Sequence, residues 1–174
     1  MGELDEARTL VRASDKSGVR ASTRAQVAVI IALANADRLA DADDALYELT
    51  SRAGVASVDA HTFTCVLAAA VRGGNSERAL AILENAARLS LALPDDDVVV
   101  SALALGRAHG RAGPVASAVE RLGVAASAEA IIVAVDALLS SELVNNRRRA
   151  VRLLSSAHAR NLQYVAACSR RGCH

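Results

Sequence analysis

A helix–turn–helix pattern centred on glycine recurs along the chain. In residues 62–86 a first helix of small residues ends at a Gly-Gly pair, and Ala79 follows Gly74 by five residues. The same spacing separates Gly113 from Ala118. Weaker versions of the pattern begin at positions 2, 40 and 145, and a last turn falls at position 172. The mean separation of these turns is about 34 residues, which is the length of a two-helix repeat.

Small residues explain why such a repeat can pack. A Gly or Asn after a helix can take the left-handed conformation that ends the helix. An alanine early in the next helix lets the two helix axes approach closely. The composition agrees, because only 2% of the residues are aromatic and Ala, Leu and Val are abundant, which favours helices over a sheet. We therefore predict an all-α fold built from stacked two-helix repeats.

Turns and helix starts divide residues 1–174 into one continuous array. The predicted units are 1–20, a second helix only; 21–56; 57–94; 95–125; 126–160; and 161–174, a first helix only. Asn75 and Ser127 are predicted N-caps of two of these helices. Because both terminal units are half repeats, we expect the chain to be part of a longer array or to have its ends covered by neighbouring chains.

Charge and cysteine content exclude several classes of protein. The 20 basic and 19 acidic side chains nearly cancel, so no global field draws the chain to nucleic acid or to a membrane. No uninterrupted apolar run reaches the roughly 20 residues that a membrane span requires. The cysteines are Cys65, Cys168 and Cys173, and an odd, sparse set of this kind is typical of a reducing compartment.

Residues 62–84 resemble a pentatricopeptide repeat. First helices in that family open Thr-Tyr-Asn, and second helices carry Ala-Leu-x-Leu-Phe-x-x-Met after a Gly turn. The matching residues here are Thr62-Phe63-Thr64 and, after Gly74, the run ALAILE at 79–84. Tetratricopeptide repeats have the same period, but their bulky aromatic positions are absent; other helical hairpin arrays remain the alternative. The resemblance implies a right-handed α-solenoid that binds single-stranded RNA in mitochondria or, alternatively, plastids, with one base read per repeat.

The resemblance also implies which residues would face the RNA bases. The base-reading position of the first helix falls at Ile31, Cys65, Ala104 and Asp136. Only Asp136 has the hydrogen-bonding groups of a normal base reader, because Ile and Ala cannot distinguish donor and acceptor patterns. We therefore do not expect a modular base code in this chain.

Arginines form a second column, two residues before each predicted turn. They are Arg38, Arg72, Arg111 and Arg170. In a stack these positions line up, and a row of guanidinium groups one repeat apart could follow a phosphate backbone without reading bases. The alternative is that a cation in the last turn of a helix only complements the helix dipole.

The densest basic patch lies in the C-terminal half of the chain. It consists of Arg147, Arg148, Arg149 and Arg152, and it is the strongest candidate for contact with RNA phosphates, together with Arg72, Arg111 and Arg170. Since consecutive helix residues point in different directions, some of these side chains can be solvated surface only.

Residues that could carry out chemistry are few. The histidines have no nearby nucleophile, and Cys168, Cys173 and His174 lack the spacing and the fourth ligand of a zinc site. We expect no catalytic residue, metal, cofactor, membrane contact or small-molecule substrate. The predicted function is non-catalytic: the chain contacts ribosomal or messenger RNA by shape and phosphate, beside neighbouring protein subunits, within a ribonucleoprotein such as the mitochondrial ribosome. The alternative is a protein-binding scaffold or assembly subunit of an organelle complex without RNA contact.

Overall fold

In the computed structural model every regular element is helical. The model describes residues 2–16, 21–53, 58–91, 93, 95–122, 126–141 and 143–171. Within these ranges the prediction of an all-α chain is confirmed. The helices are α1 (Glu3–Lys16), α2 (Thr23–Asn35), α3 (Leu39–Ala53), α4 (Ala60–Arg72), α5 (Ser76–Arg88), α6 (Asp96–Ala108), α7 (Ala112–Leu122), α8 (Ala128–Leu139) and α9 (Val144–Arg171).

Four helices begin with the same N-cap. The side chains of Ser22, Asp59, Asp95 and Ser127 each accept a hydrogen bond from the backbone N–H three residues later. These residues open α2, α4, α6 and α8, which we call first helices; α1, α3, α5, α7 and α9 are second helices. Asn75 caps α5 in the same way, so both predicted N-caps are confirmed. A side-chain oxygen there satisfies a backbone donor that the helix itself leaves unpaired.

The turns inside the first three hairpins share one geometry. Asp37, Gly74 and Gly110 take positive φ values of 57°, 65° and 70°. After each of them, a backbone N–H donates across the turn to a carbonyl of the first helix, at 3.0 Å. This is the left-handed ending that lets a chain reverse in a few residues.

Two predicted turn positions are therefore wrong by three residues. The turn expected at Ala40 is made by Asp37, and the turn expected at Gly113 is made by Gly110. Gly113 instead lies in the first turn of α7. The predicted turn at Gly172 lies outside the described residues.

Consecutive helices pack against each other along the whole stack. Each first helix contacts the next first helix, from α2 to α8, and each hairpin pairs a first helix with the second helix that follows it. Leucines from successive hairpins form the fully buried centre of the core: Leu33, Leu67, Leu83, Leu103 and Leu138. Burial of these side chains is the main driving force for stacking.

The last helix differs from the prediction for the C-terminal unit. We expected a separate first helix within residues 161–174, but α9 continues unbroken from Val144 to Arg171. No Gly or Pro stands between Ala157 and Leu162 to end the helix. No helix in the described ranges combines the length and the apolar composition needed to cross a membrane.

Candidate interaction surfaces

Three arginines of the predicted phosphate column form ion pairs inside the stack. Arg72 donates from Nε to Asp37 at 2.8 Å and from Nη2 to the carbonyl of Ala34 at 2.9 Å. Arg111 reaches Glu77 of α5 at 3.3 Å. Both arginines therefore join one hairpin to the hairpin before it.

The predicted column is wrong in its positions. Of these three arginines, only Arg72 stands two residues before its turn residue, whereas Arg38 and Arg111 directly follow theirs.

Arg38 follows the turn of the first hairpin. Its two terminal nitrogens lie 2.7 Å from Asp5 of α1 and 2.7 Å from Asp41 of α3. The hydrogen bond from Arg38 lowers the pKa of Asp41, and the same arginine lowers the pKa of Asp5. The side chain of Arg170 lies outside the described part of the structure.

Further arginine–carboxylate pairs connect successive second helices. In each pair one helix supplies the arginine and its neighbour supplies the acid. The pairs are Arg8–Asp41 between α1 and α3, Arg78–Asp43 between α5 and α3, Arg121–Glu84 between α7 and α5, and Arg149–Glu120 between α9 and α7. Much of the arginine content thus serves to hold neighbouring repeats in register.

The C-terminal basic patch is divided by the fold. Arg149 is half-buried and donates to both carboxylate oxygens of Glu120 at 2.7 and 2.6 Å, and also to Ser117 at 2.8 Å. Arg147, Arg148 and Arg152 are exposed. Arg149 therefore acts as an internal contact of the stack, and the other three arginines present their charge to solvent.

Arg149 gives a direct measure of what these contacts contribute. Because the Arg149–Glu120 pair is bidentate but partly exposed, replacing Arg149 by glutamine should lower the free energy of unfolding by about 1 kcal/mol. Urea denaturation measures this change. Arg147→Gln is the matched control and should change the stability by less than about 0.5 kcal/mol. Equal stabilities of the two variants would contradict the role given to Arg149.

Several carboxylates have pKa values below their ordinary range. Arg149 lowers the pKa of Glu120 through its hydrogen bonds, and the hydroxyl and backbone N–H of Thr62 lower the pKa of the N-cap Asp59. Asp41 is shifted the same way by Arg38. A carboxylate whose pKa is lowered by folding stabilises the fold above its unfolded pKa, and this stabilisation is lost as the pH falls through the folded value.

The fold should therefore lose stability in acid. We expect the melting temperature to be level above pH about 5 and to fall by roughly 5 °C once the pH drops below about 4, where unfolded Asp and Glu begin to bind protons. Thermal melts followed by circular dichroism across this range measure the effect. A double variant, Asp41→Asn with Glu120→Gln, should show a smaller fall. A melting temperature that rises toward pH 3 would contradict the assignment of these pairs.

The four predicted base-facing residues all lie on first helices, but their registers differ. Ile31, Ala104 and Asp136 each stand nine residues after their N-cap, whereas Cys65 stands six residues after Asp59. Asp136 is ion-paired with an arginine of α6, Arg107. Ile31 and Cys65 are half-buried and Ala104 is exposed, so these three offer only apolar or thiol surface.

A shallow depression lies between the N-terminal ends of α4 and α6. It has a volume of about 510 Å³ and is lined by His61, Thr64, Cys65, Ala68 and residues 95–98. The Sγ atom of Cys65 lies 3.6 Å from Nε2 of His61. Burial raises the pKa of the Cys65 thiol, which is the opposite of the shift that activates a cysteine nucleophile.

The described residues also contain no arrangement of side chains that fits a metal site. No set of three or more His, Cys, Asp or Glu side chains there is arranged to hold a metal ion. Cys168 lies in α9, but its side chain is outside the described part of the structure, as are Cys173 and His174.

Sequence reasoning missed the large apolar side chains that α8 and α9 expose. Ile132, Leu139, Val151 and Leu154 all have about half or more of their surface in solvent. Val151 and Leu154 are apolar positions at helical spacing, but spacing alone does not tell whether another helix covers them.

Comparison with known proteins adds no assignment. No model of a protein family matches this chain, and no curated protein matches it either.

Proposed function

We propose that this chain is a non-catalytic helical-repeat scaffold that binds a partner protein. The proposal rests on the ion pairs that the repeat arginines form within the stack. Arg72 and Arg111, which a phosphate-binding column would present to RNA, bind carboxylates of the preceding hairpin. These contacts support stacking, and they reduce the charge left for a sequence-independent RNA contact along the repeats.

The surface of the first helices supports the same proposal. Ile31, Cys65 and Ala104 lack the paired donors and acceptors that read a base. Protein partners bind well to apolar surfaces of this kind, because burial of apolar area drives association. Following the resemblance, we further propose a right-handed solenoid of pentatricopeptide type within a mitochondrial or plastid complex.

RNA contact by α9 is the second candidate. Its basis is the exposure of Arg147, Arg148 and Arg152 in a helix whose sequence contains no Asp or Glu from Val144 to Arg171. Labelled single-stranded RNA tested across a salt series separates the two candidates. Binding that weakens with salt, with a shallower slope after substitution of these three arginines by glutamine, would favour RNA. The scaffold predicts no binding at physiological salt.

Photo-crosslinking in cells tests the scaffold itself. A photoreactive amino acid is placed at Ala104, at Leu154 or, as a control, at the exposed Tyr47 of α3, in the full chain in cells that make the protein. We expect a discrete protein adduct from Ala104 or Leu154 that resists ribonuclease and is absent from Tyr47. Adducts that ribonuclease removes, or no adduct from either position, would contradict the scaffold.

A further inference from the structure

Among the residues whose side chains the structure describes, α8 and α9 each leave two large apolar side chains in solvent. Ile132 and Leu139 of α8 are 63% and 54% exposed, and Val151 and Leu154 of α9 are 63% and 49% exposed. We call these four residues the α8–α9 face. Single exposed apolar side chains are common on protein surfaces, but a group of four on one hairpin requires an explanation.

One counterpart of each α8 residue in an earlier first helix is buried beside the next first helix. Counted from the N-caps, Ile132 corresponds to Thr64 of α4, and Leu139 corresponds to Ala34 of α2. Thr64 is buried and lines the depression against α6. Ala34 is fully buried, and its carbonyl accepts a hydrogen bond from Arg72 of α4.

The second helices give the same result. Arg78 and Arg149 each reach back to a carboxylate of the preceding second helix, and this shared contact aligns α5 with α9. In that alignment Val151 corresponds to Leu80. A Cβ atom added to Gly106 of α6 would lie 2.9 Å from Cδ1 of Leu80, so Leu80 packs directly on the next first helix.

Leu154 completes the comparison. It corresponds to Leu83 of α5, which is fully buried in the core. The α8–α9 face therefore lies at positions whose compared counterparts in α2, α4 and α5 are buried in the stack. Covering these exposed apolar side chains with another helix would bury apolar area and stabilise the complex.

The charges beside the α8–α9 face are opposite in sign to those that α5 presents to its neighbour. Arg148 corresponds to Glu77 of α5, which pairs with Arg111, the residue just before the next second helix. Arg152 lies one turn further along the same stripe, between the positions of Glu77 and Glu84. The earlier helix thus presents carboxylates to its neighbour, and α9 presents guanidinium groups.

We infer that the α8–α9 face is the docking site for an amphipathic helix of a partner protein, one that flanks its apolar stripe with Asp or Glu. The stripe covers the four apolar side chains, and the carboxylates meet Arg148 and Arg152. A helix like α5 or α9, which brings Arg78 or Arg149 to the preceding second helix, would be repelled by these two arginines. An acidic helix has a precedent within the stack, because α3 brings carboxylates to the arginines of α1. The inference rests on the proposed scaffold function and names the chemistry of its partner.

Two synthetic peptides test the inference with the full chain. Both are N-capped helices of about 20 residues with the same leucine stripe; one carries glutamates beside the stripe and the other carries lysines. Fluorescence anisotropy of the labelled peptides measures binding. We expect the glutamate peptide to bind roughly tenfold more tightly than the lysine peptide. Equal binding, or binding of neither peptide, would overturn the inference.

Variants locate the contact on the protein. Val151→Asp combined with Leu154→Asp should lower the affinity for the glutamate peptide roughly thirtyfold or more, because charged groups then face the leucine stripe of the peptide. Leu10→Asp is the matched control: Leu10 is 70% exposed at the far end of the stack, and its substitution should leave the affinity unchanged. Circular dichroism confirms that each variant is folded. Equal losses from both variants would overturn the site.

The outcomes also separate this inference from the scaffold function. A ribonuclease-resistant protein adduct at Ala104, without binding of the glutamate peptide, would overturn the inference and leave the scaffold intact. Sedimentation of the chain alone shows whether a second copy is the occupant. A dimer that the Val151→Asp and Leu154→Asp substitutions dissolve would overturn the partner-helix assignment.

Discussion

Replacing Gly106 by leucine should lower the free energy of unfolding by about 3 kcal/mol, the upper end of the range for overpacked cores. Gly106 is buried in α6 where α5 and α7 meet it. Even a Cβ atom at this position would lie 2.8 Å from Cγ2 of Val115 and 2.9 Å from Cδ1 of Leu80. A full leucine side chain therefore has no space unless three helices move apart.

Gly113 provides the control for this prediction. It also lies in a helix, α7, but a Cβ atom there would meet nothing within 4 Å. Gly113→Ala should change the stability by less than about 1 kcal/mol, because the higher helix propensity of alanine is opposed by Pro114, which disfavours a helical backbone in a preceding residue that carries a Cβ atom. Urea denaturation of both variants measures the difference. Equal stabilities of Gly106→Leu and Gly113→Ala would contradict the close packing of α5, α6 and α7 at Gly106.

Leu83→Ala is the second large prediction. Leu83 is fully buried in α5 at the middle of the stack, and the substitution leaves a cavity that the neighbouring helices fill only in part. We expect a loss of about 3 kcal/mol in the free energy of unfolding, measured by urea denaturation.

Leu10 is an exposed leucine and serves as the control for the buried Leu83. It lies in α1 and is 70% exposed, so Leu10→Ala should change the stability by less than about 0.5 kcal/mol. Similar losses for Leu10→Ala and Leu83→Ala would mean that the stack does not bury α5 between its neighbours. Because stability in repeat stacks is carried by contacts between neighbours, a loss confined to Leu83→Ala supports the observed packing.

The helical class and part of the hairpin geometry could be predicted from the sequence because their causes are local. Gly74 makes its turn as expected, and Asn75 and Ser127 cap their helices. The turn expected at Gly113 was misplaced because Gly110, which makes it, is followed five residues later by Val115 and not by the alanine of the pattern. Asp37, which makes the first turn, carries no such glycine signal.

The partners of the arginines could not be read from the sequence. The acid that pairs with Arg72 lies 35 residues away, and the acid that pairs with Arg149 lies 29 residues away. Such pairs depend on the register between whole hairpins, which a three-residue error in one turn displaces by almost a full helical turn. For the same reason, spacing could identify Val151 as apolar but could not show that it stays uncovered.

The positive charge of α9 beside its exposed apolar side chains should select an acidic partner helix, and reversing that charge tests this selection. Arg148→Glu with Arg152→Glu gives α9 the sign of charge that α5 presents to its neighbour. The affinities of the glutamate and lysine peptides are then compared for the native chain and this variant. We expect the native chain to bind the glutamate peptide roughly tenfold more tightly than the lysine peptide, and the variant to show the opposite preference by a similar factor. If both proteins preferred the same peptide, or if neither distinguished the two, the α8–α9 face would not select its partner by charge and the account would be contradicted.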